Sequence, residues 1–401
     1  MILGPDTGPG GLRRLLLAQA PADFADWLDF VAIGALLAFT WTADPFVFAV
    51  LAVAMGLPYL VVGPFAGSLV DRSDTRRILV WSNVGRALAT AALVLAPNWP
   101  ALLAGIAVRS SIDTFFTPAK QSAIQALTEP GQRNRANAVS HGINQVSKIV
   151  APALGGALSI WLSPQCVCAI NAAVSLGAAW ICLGLRDFPP AIAPDGDREE
   201  GRFVSIRNGW TEMVGNLPLK AAIALMAAGY FAMFFYDTLI APLIREFGFD
   251  QSQLGLALAA VGAGGVLGSA GMALVRAAPR PFVTVAAASF VAGVIVLGLG
   301  WAEISGASVT AWAVLLAWFG LGIASALTVI PFRTVLQDQC SDRSIGQITA
   351  LSEAVNTVAL LTAPFIGALV ATAFSLGAAF VLGGLVMLGV AVAAALLWKV
   401  G

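Results

Sequence analysis

The chain has 401 residues, 58% of them hydrophobic and 11% charged, with a mean hydropathy of +0.84. Soluble domains average about 25% charged residues, so a water-soluble globule is excluded. The 22 basic and 22 acidic side chains cancel, which leaves no basic surface for nucleic acid. Cys166, Cys168, Cys182 and Cys340 follow neither a zinc nor a disulfide spacing. Residues 1–12 are Gly/Pro-rich without a cationic start, which predicts no cleavable signal peptide. No G-x-x-x-x-G-K-[ST] phosphate loop, Ser/His/Asp constellation or metal-ligand cluster stands out. Neither an enzyme nor a bound metal or cofactor is expected.

A helix needs roughly 20 apolar residues to cross a bilayer, and that ruler predicts twelve spans. The first, 19–41, carries Asp23, Asp26 and Asp29 at steps of three, on one side of a helix. Asp23, just after Pro21, reads as interfacial. Asp26 and Asp29 lie deeper, where a carboxylate either binds protons reversibly or pairs with a fixed Arg such as Arg86 or Arg109. The second span is 46–66. The third, 78–96, holds Asn83 and Arg86, and Arg86 is assigned to neutralising a first-span aspartate. The fourth, 100–120, holds Arg109 and Asp113 four apart on one face. That spacing suits an intrahelical structural pair as well as a coupling device. In the fifth, 134–161, His141, Asn144, Gln145 and Lys148 form one stripe. A polar stripe on an apolar helix lines water or substrate rather than lipid. His141, the single histidine, is either a pH-sensitive group or a residue at the membrane edge. Lys148 lies deeper, as a cavity cation or an ion-pair partner. The sixth span is 164–185.

The seventh span, 218–241, contributes Tyr230, Tyr236 and Asp237. Asp237 lies towards the outer end, so coupling and interfacial roles both stand. Phe234, Phe235 and Tyr236 suit packing or stacking on an amphiphilic substrate. The eighth to tenth spans are 252–275, 281–301 and 308–331. The eleventh, 345–371, offers Glu353, Asn356 and Thr357. Glu353 is read either as a coupling group or as a partner for the Arg-rich loops. The twelfth is 374–398. Lys120 and Arg333 read as snorkelling helix-end cations.

Residues 187–216, with Pro189-Pro190, Pro194 and mixed charge, have linker composition. They separate 1–186 from 217–401. With the N-terminus inside, Arg13, Arg14, Arg72, Arg76, Arg77, Arg186 and Arg280 collect on the inner side and only Arg245 on the outer. The positive-inside rule then puts both termini in the cytoplasm. The two halves echo each other at an offset of 212 residues. Ser140, Asn144, Val146, Ala151, Pro152 and Gly155 recur as Ser352, Asn356, Val358, Ala363, Pro364 and Gly367. With a one-residue slip, Pro118 and Lys120 answer Pro331 and Arg333. Duplicated halves are a hallmark of transporters. The expected fold is an all-α polytopic membrane protein with twelve transmembrane helices in two pseudo-symmetric six-helix bundles.

The turn after the second span reads Gly67-Ser68-Leu69-Val70-Asp71-Arg72-Ser73-Asp74-Thr75-Arg76-Arg77. It resembles the loop signature of the major facilitator superfamily, with Asp74 and Thr75 departing from the pattern. The Asp-Arg-x-x-x-Arg-Arg form is similar to the drug:proton antiporter branch of macrolide and siderophore exporters. So are Gln19 to Asp29, Phe116-Thr117-Pro118-Ala119, Ala136-Asn137-Ala138 and the run Ala151 to Gly156. The resemblance implies a cytoplasmic gate at Gly67, Asp71, Arg72, Arg76 and Arg77, where the alternative is that these charges only set topology. It also implies that Arg109 handles protons near a carboxylate, with Asp113 standing where the pattern has glycine.

The proton-coupling candidates are therefore Asp26, Asp29, Arg109, Asp113, Asp237 and Glu353. The substrate-cavity candidates are Asn144, Gln145, Lys148, Tyr230, Tyr236 and Asn356. The expected protein is a monomeric secondary transporter of the bacterial inner membrane, working by alternating access. It would exchange protons for a drug-like or siderophore-like molecule, with membrane lipids as its surroundings. Two alternatives are a lysophospholipid carrier, from Pro118-Ala119-Lys120 and Pro331 to Gln337, and a metal or metal-chelate carrier, from the first-span aspartates.

Overall fold

Backbone polar groups in lipid must bond within their own segment, which leaves helices for such apolar runs. In the computed structural model every expected span is helical, and no strand occurs among the described residues. These are residues 9–187, 215–274, 280–339 and 345–397. Most of the expected linker lies outside them. So do position 67 and the side chains of Asp71, His141, Gln145, Lys148, Arg333 and Glu353.

Helices α1 (Pro9–Leu28) and α2 (Phe30–Ala35), with a π-helical turn at Leu36–Thr40, share the first span. α3 (Pro45–Val61) and α4 (Gly63–Asp71) form the second, and α5 (Thr75–Leu93) the third. α6 (Trp99–Asp113) and α7 (Phe116–Leu127) form the fourth, α8 (Pro130–Leu158) the fifth and α9 (Pro164–Leu183) the sixth. The second half runs α10 (Leu217–Asp237), α11 (Ile240–Glu246), α12 (Gln251–Leu274), α13 (Pro281–Ile304), α14 (Ala311–Gln339), α15 (Ile345–Ala373) and α16 (Leu376–Leu396).

Among the described residues seven helices are long and apolar enough to cross a bilayer unaided, and six of them belong to the second half. The first half departs from the ruler for identifiable reasons. Its rods break at Asp29, at Val62 before Pro64, and at Thr114–Phe115, and α1, α5 and α6 carry charges inward. Large apolar side chains such as Phe65, Trp81, Leu95, Trp180, Trp312 and Leu369 are exposed. Such a surface belongs against lipid tails rather than water.

The chain divides into two compact units, Met1–Thr42 with Val53–Pro194, and Ala43–Ala52 with Asp195–Gly401. In the first, α1 packs on α8 and α9, and α5 on α9. In the second, α10 packs on α15 and α16, and α13 on α16. The sequence repeat has a structural counterpart inside each unit. A Cβ on Gly155 would lie 2.3 Å from the Leu28 carbonyl oxygen, so α8 meets α1 backbone to backbone. A Cβ on Gly367 would lie 1.9 Å from the Phe235 carbonyl oxygen, so α15 meets α10 in the same way. Small residues give helices in lipid this close approach.

At the start of α12 the chain builds a reciprocal capping box. Asp250 accepts from the backbone N–H groups of Ser252 (2.8 Å) and Gln253 (3.2 Å), and the Gln253 side chain accepts from the Asp250 N–H (3.1 Å). The Ser252 hydroxyl and these N–H groups hold the Asp250 carboxyl below the usual carboxylate range. A depressed folded-state pKa contributes stability above the unfolded value and loses it as pH falls through the folded one. Asp250→Ala should therefore cost about 1 kcal/mol at neutral pH. The difference from wild type in detergent thermal melts should shrink as the medium is acidified.

Candidate functional site

Among its described residues, the first unit gathers seven charged side chains within its expected spans, namely Asp23, Asp26, Asp29, Arg86, Arg109, Asp113 and Lys120. Such groups are tolerated only when paired or facing a wet cavity. From the first span, Asp23, Asp26 and Asp29 project towards three cations on neighbouring helices. Arg109 of α6 donates to both carboxylate oxygens of Asp29, at 2.7 and 2.9 Å, and to the Ala25 carbonyl at 3.2 Å. Asp29 and Arg109 are both buried. The carbonyl of Ala25 reinforces the fork that a guanidinium presents to a carboxylate.

Arg86 of α5, 1% exposed, serves two carboxylates. It reaches Asp26 at 2.7 Å and Asp113 at 2.6 Å, and donates to the Ala22 carbonyl at 2.7 Å. Its guanidinium also lies 5.4 Å from the centre of the Phe116 ring, within cation–π range. The Tyr59 hydroxyl donates to Asp113. Asp23 is buried with Lys120 at 3.6 Å and accepts from Gln19 at 2.7 Å. Gln19 also donates to the Ser140 carbonyl.

The charge count is uneven. Asp29 has Arg109 and Asp23 has Lys120, but Asp26 and Asp113 share Arg86. Among the described buried groups, four carboxylates face three cations. A buried charge without compensation is expensive, so the sharing of Arg86 by two carboxylates is the electrostatic feature of these described groups.

The second unit contrasts with this. A cavity of about 120 Å³ is lined by Tyr230, Tyr236, Trp318, Phe332, three methionines, aliphatic residues and the hydroxyl residues Ser325 and Thr328, and Asp237 is the one charged residue among those lining it. The structure therefore brings Tyr230, Tyr236 and Asp237 together. Asn356 of α15 and Asn144 of α8 are half-buried, and Asn356 does not line this cavity.

Residues 15–309 match the Major Facilitator Superfamily. The chain belongs to that superfamily. It is 30% identical to the MFS-type transporter YfiS of Bacillus subtilis (strain 168), over 94% of this chain and 91% of that one. It is 24% identical to macrolide efflux protein A of Streptococcus pyogenes, over 84% of this chain and 83% of that one. Among solved structures, an inward-facing, unoccupied bacterial homologue of the human lysosomal transporter Spinster matches 98% of this chain and 97% of its own. Its TM-score is 0.68 at 17% identity, a likeness of fold. The protein is thus a bacterial membrane transporter of the superfamily, not a member of an enzyme class.

Within the superfamily's loop after the second span, Asp74 caps α5 by accepting from the Arg77 N–H at 3.2 Å. Arg76 reaches Asp187 at 2.6 Å and the Leu183 carbonyl at 2.7 Å. Arg14 donates to the Gly184 carbonyl. These guanidinium groups gather on the carbonyl-rich C-terminal end of α9, where the helix dipole favours cations. Arg72 is exposed, while Gly67 and the Asp71 side chain lie outside the described residues.

Three placements differ from the sequence expectations. Arg109 and Asp113 do not pair with each other, because each finds a partner on another helix. Asp23, read as an interfacial group, is fully buried among the helices and paired with Lys120. Lys120 is buried against Asp23 and the Phe116 ring instead of snorkelling outward. Tyr59 and Trp318 escaped sequence reading altogether, because an aromatic in an apolar run carries no mark of its partners. Among the described residues no group of three His, Cys, Asp or Glu converges as a metal site.

Proposed function

We propose that this transporter exports an amphiphilic small molecule in exchange for protons. The proton is carried by the Asp26–Arg86–Asp113 triad. The observation that carries this reading is the single guanidinium shared by two carboxylates in a buried setting. With both carboxylates ionised the triad has one negative charge to spare, and one proton removes it. Asp26, whose side chain is 22% exposed against 14% for Asp113, is the better placed to meet water. Proton binding there frees Arg86 to favour Asp113, and proton loss pulls Arg86 back between the two. Such a switch biases two arrangements of the packed helices by a differential interaction, which alternating access requires. Asp29–Arg109 is the stable neighbour that keeps the first span in register.

Export is favoured by the name of the relative, macrolide efflux protein A, and a macrolide is the first substrate to try. Transport of a bare metal ion is disfavoured because Asp26 and Asp29 are each engaged by an arginine at 2.7 Å. A monomer with both termini in the cytoplasm completes the proposal. In proteoliposomes with an internal pH dye, wild-type protein should move protons against a macrolide gradient. Asp26→Asn should keep macrolide binding but lose proton movement, by at least about tenfold for a group that acts in the coupling step. Undiminished proton movement in Asp26→Asn and Asp113→Asn alike would refute the triad.

A further inference from the structure

The internal repeat lets the two units be compared position by position. In the first, the helix breaks at Asp29, one residue beyond the Leu28 carbonyl that meets Gly155, and Arg109 neutralises Asp29. In the second, α10 ends at Asp237, two residues beyond the Phe235 carbonyl that meets Gly367. Counted from the matched prolines Pro118 and Pro331, the position answering Arg109 is Gly322. A carboxylate follows the contact in each unit, one residue later in the second, while glycine stands where the first unit has Arg109.

Among the described residues of the second unit, no cation pairs with Asp237. Helices α12, α13, α15 and α16 contain no Lys or Arg, and α14 has only Arg333 near its far end. Lys220 sits at the opposite end of α10, roughly 25 Å away at 1.5 Å per residue. Arg245 pairs with Glu246. Gly322 itself packs on the α12 backbone, and the cavity beside it holds Asp237 in a wall of Tyr230, Tyr236, Trp318 and Phe332. Aromatic faces attract a positive charge. The C-terminal carbonyls of α10, which ends at Asp237, add negative potential to the same spot. The Trp318 indole nitrogen is buried without a hydrogen-bond partner, so an acceptor is also wanted there.

We propose that this cavity binds the ammonium head of an organic cation, with Asp237 as its counter-charge and an oxygen of the same ligand accepting from Trp318. The ligand supplies the positive charge that Arg109 supplies in the first unit. The inference rests on the exporter reading for its physiological meaning, since it names the substrate class as amphiphilic amines.

Three of the seven methionines, Met226, Met233 and Met387, line the cavity and serve as reporters. Protein labelled at the methionine methyl carbons, in nanodiscs, is titrated with phenyltrimethylammonium and separately with its neutral isostere tert-butylbenzene. The expected result is saturable shifts at these three methyls while Met55 and Met272 stay still, with phenyltrimethylammonium binding at least about tenfold tighter than its isostere. Asp237→Asn should weaken the cation at least about tenfold, and Asp237→Glu should recover most of the loss. Unchanged resonances of Met55 and Met272 in each variant check the fold. Asp26→Asn should leave this binding intact, which separates the site from the proton triad. Equal affinity for both probes, equal cation binding in Asp237→Asn, or shifts spread over all methionines would overturn the proposal. Failure of proton movement in Asp237→Asn with cation binding intact would also overturn it, and would leave proton-coupled export standing.

Discussion

Arg86→Met should be among the most damaging single changes in the protein. The guanidinium is 1% exposed and holds Asp26, Asp113 and the Ala22 carbonyl at 2.6–2.7 Å. Its loss strands two carboxylates at bilayer depth. Breaking one buried pair costs about 3–5 kcal/mol, and here one deletion breaks two. Thermal unfolding in detergent should show a large drop, with transport abolished. The triple change Arg86→Met, Asp26→Asn, Asp113→Asn removes all three charges and should recover most of the lost stability. It should recover no proton movement, because no titrating group remains in the triad. Arg86→Lys should fall between, since one ammonium cannot present the planar fork that spans two carboxylates. A stable, transport-competent Arg86→Met would show that the triad has no structural or functional weight.

Gly367→Val should disrupt the second unit for an unrelated reason. Its first added carbon would lie 1.9 Å from the Phe235 carbonyl oxygen, and backbone cannot rotate out of the way as a side chain can. Helices α10 and α15 would have to separate. The cost should reach or exceed the upper end of the roughly 1–3 kcal/mol typical of overpacking. Gly155→Val is its counterpart in the first unit, against the Leu28 carbonyl. Gly142→Ala, on the same helix as Gly155 but with nothing within 4 Å, is the control that should be tolerated. Yields of folded protein after detergent extraction, followed by melting of whatever is recovered, would rank the three.

Much of this architecture is legible from composition and repetition. Twelve apolar runs of the right length and a duplicated Ala-Pro-x-x-Gly element lead directly to a polytopic helical transporter. Charges in apolar runs are equally conspicuous, so Asp26, Asp29, Arg86, Arg109 and Asp113 could be named as participants. Pairing of the first-span aspartates with Arg86 or Arg109 is legible too, but which aspartate each takes, and the partner of Asp113, is not, because that choice depends on which helices adjoin. Arg109 and Asp113 are ideally spaced for each other along α6, yet Arg109 engages Asp29 and Asp113 engages Arg86. Burial is also hard to read next to a proline. Pro21 lies inside α1, and Asp23 beyond it is fully buried. Tyr59 has no charge to draw attention, and only the packing of the first unit reveals its bond to Asp113. The presence of a glycine, Gly322, where the repeat has Arg109 becomes informative once the repeat is combined with the observed Asp29–Arg109 pair.

The most direct test of the proton triad needs no substrate. Infrared difference spectra of the purified protein, recorded while pH is stepped across the range from about 5 to about 9 spanned by cavity carboxyls, report carboxylic-acid carbonyls separately from carboxylates. The triad predicts a carboxylic-acid band, distinct from any that Asp237 contributes, that titrates reversibly, shifts when Tyr59→Phe removes the bond to Asp113, and disappears in the double change Asp26→Asn, Asp113→Asn. If that double variant keeps the band, or if wild-type protein shows none at any pH, two carboxylates do not share one guanidinium and a proton in this transporter.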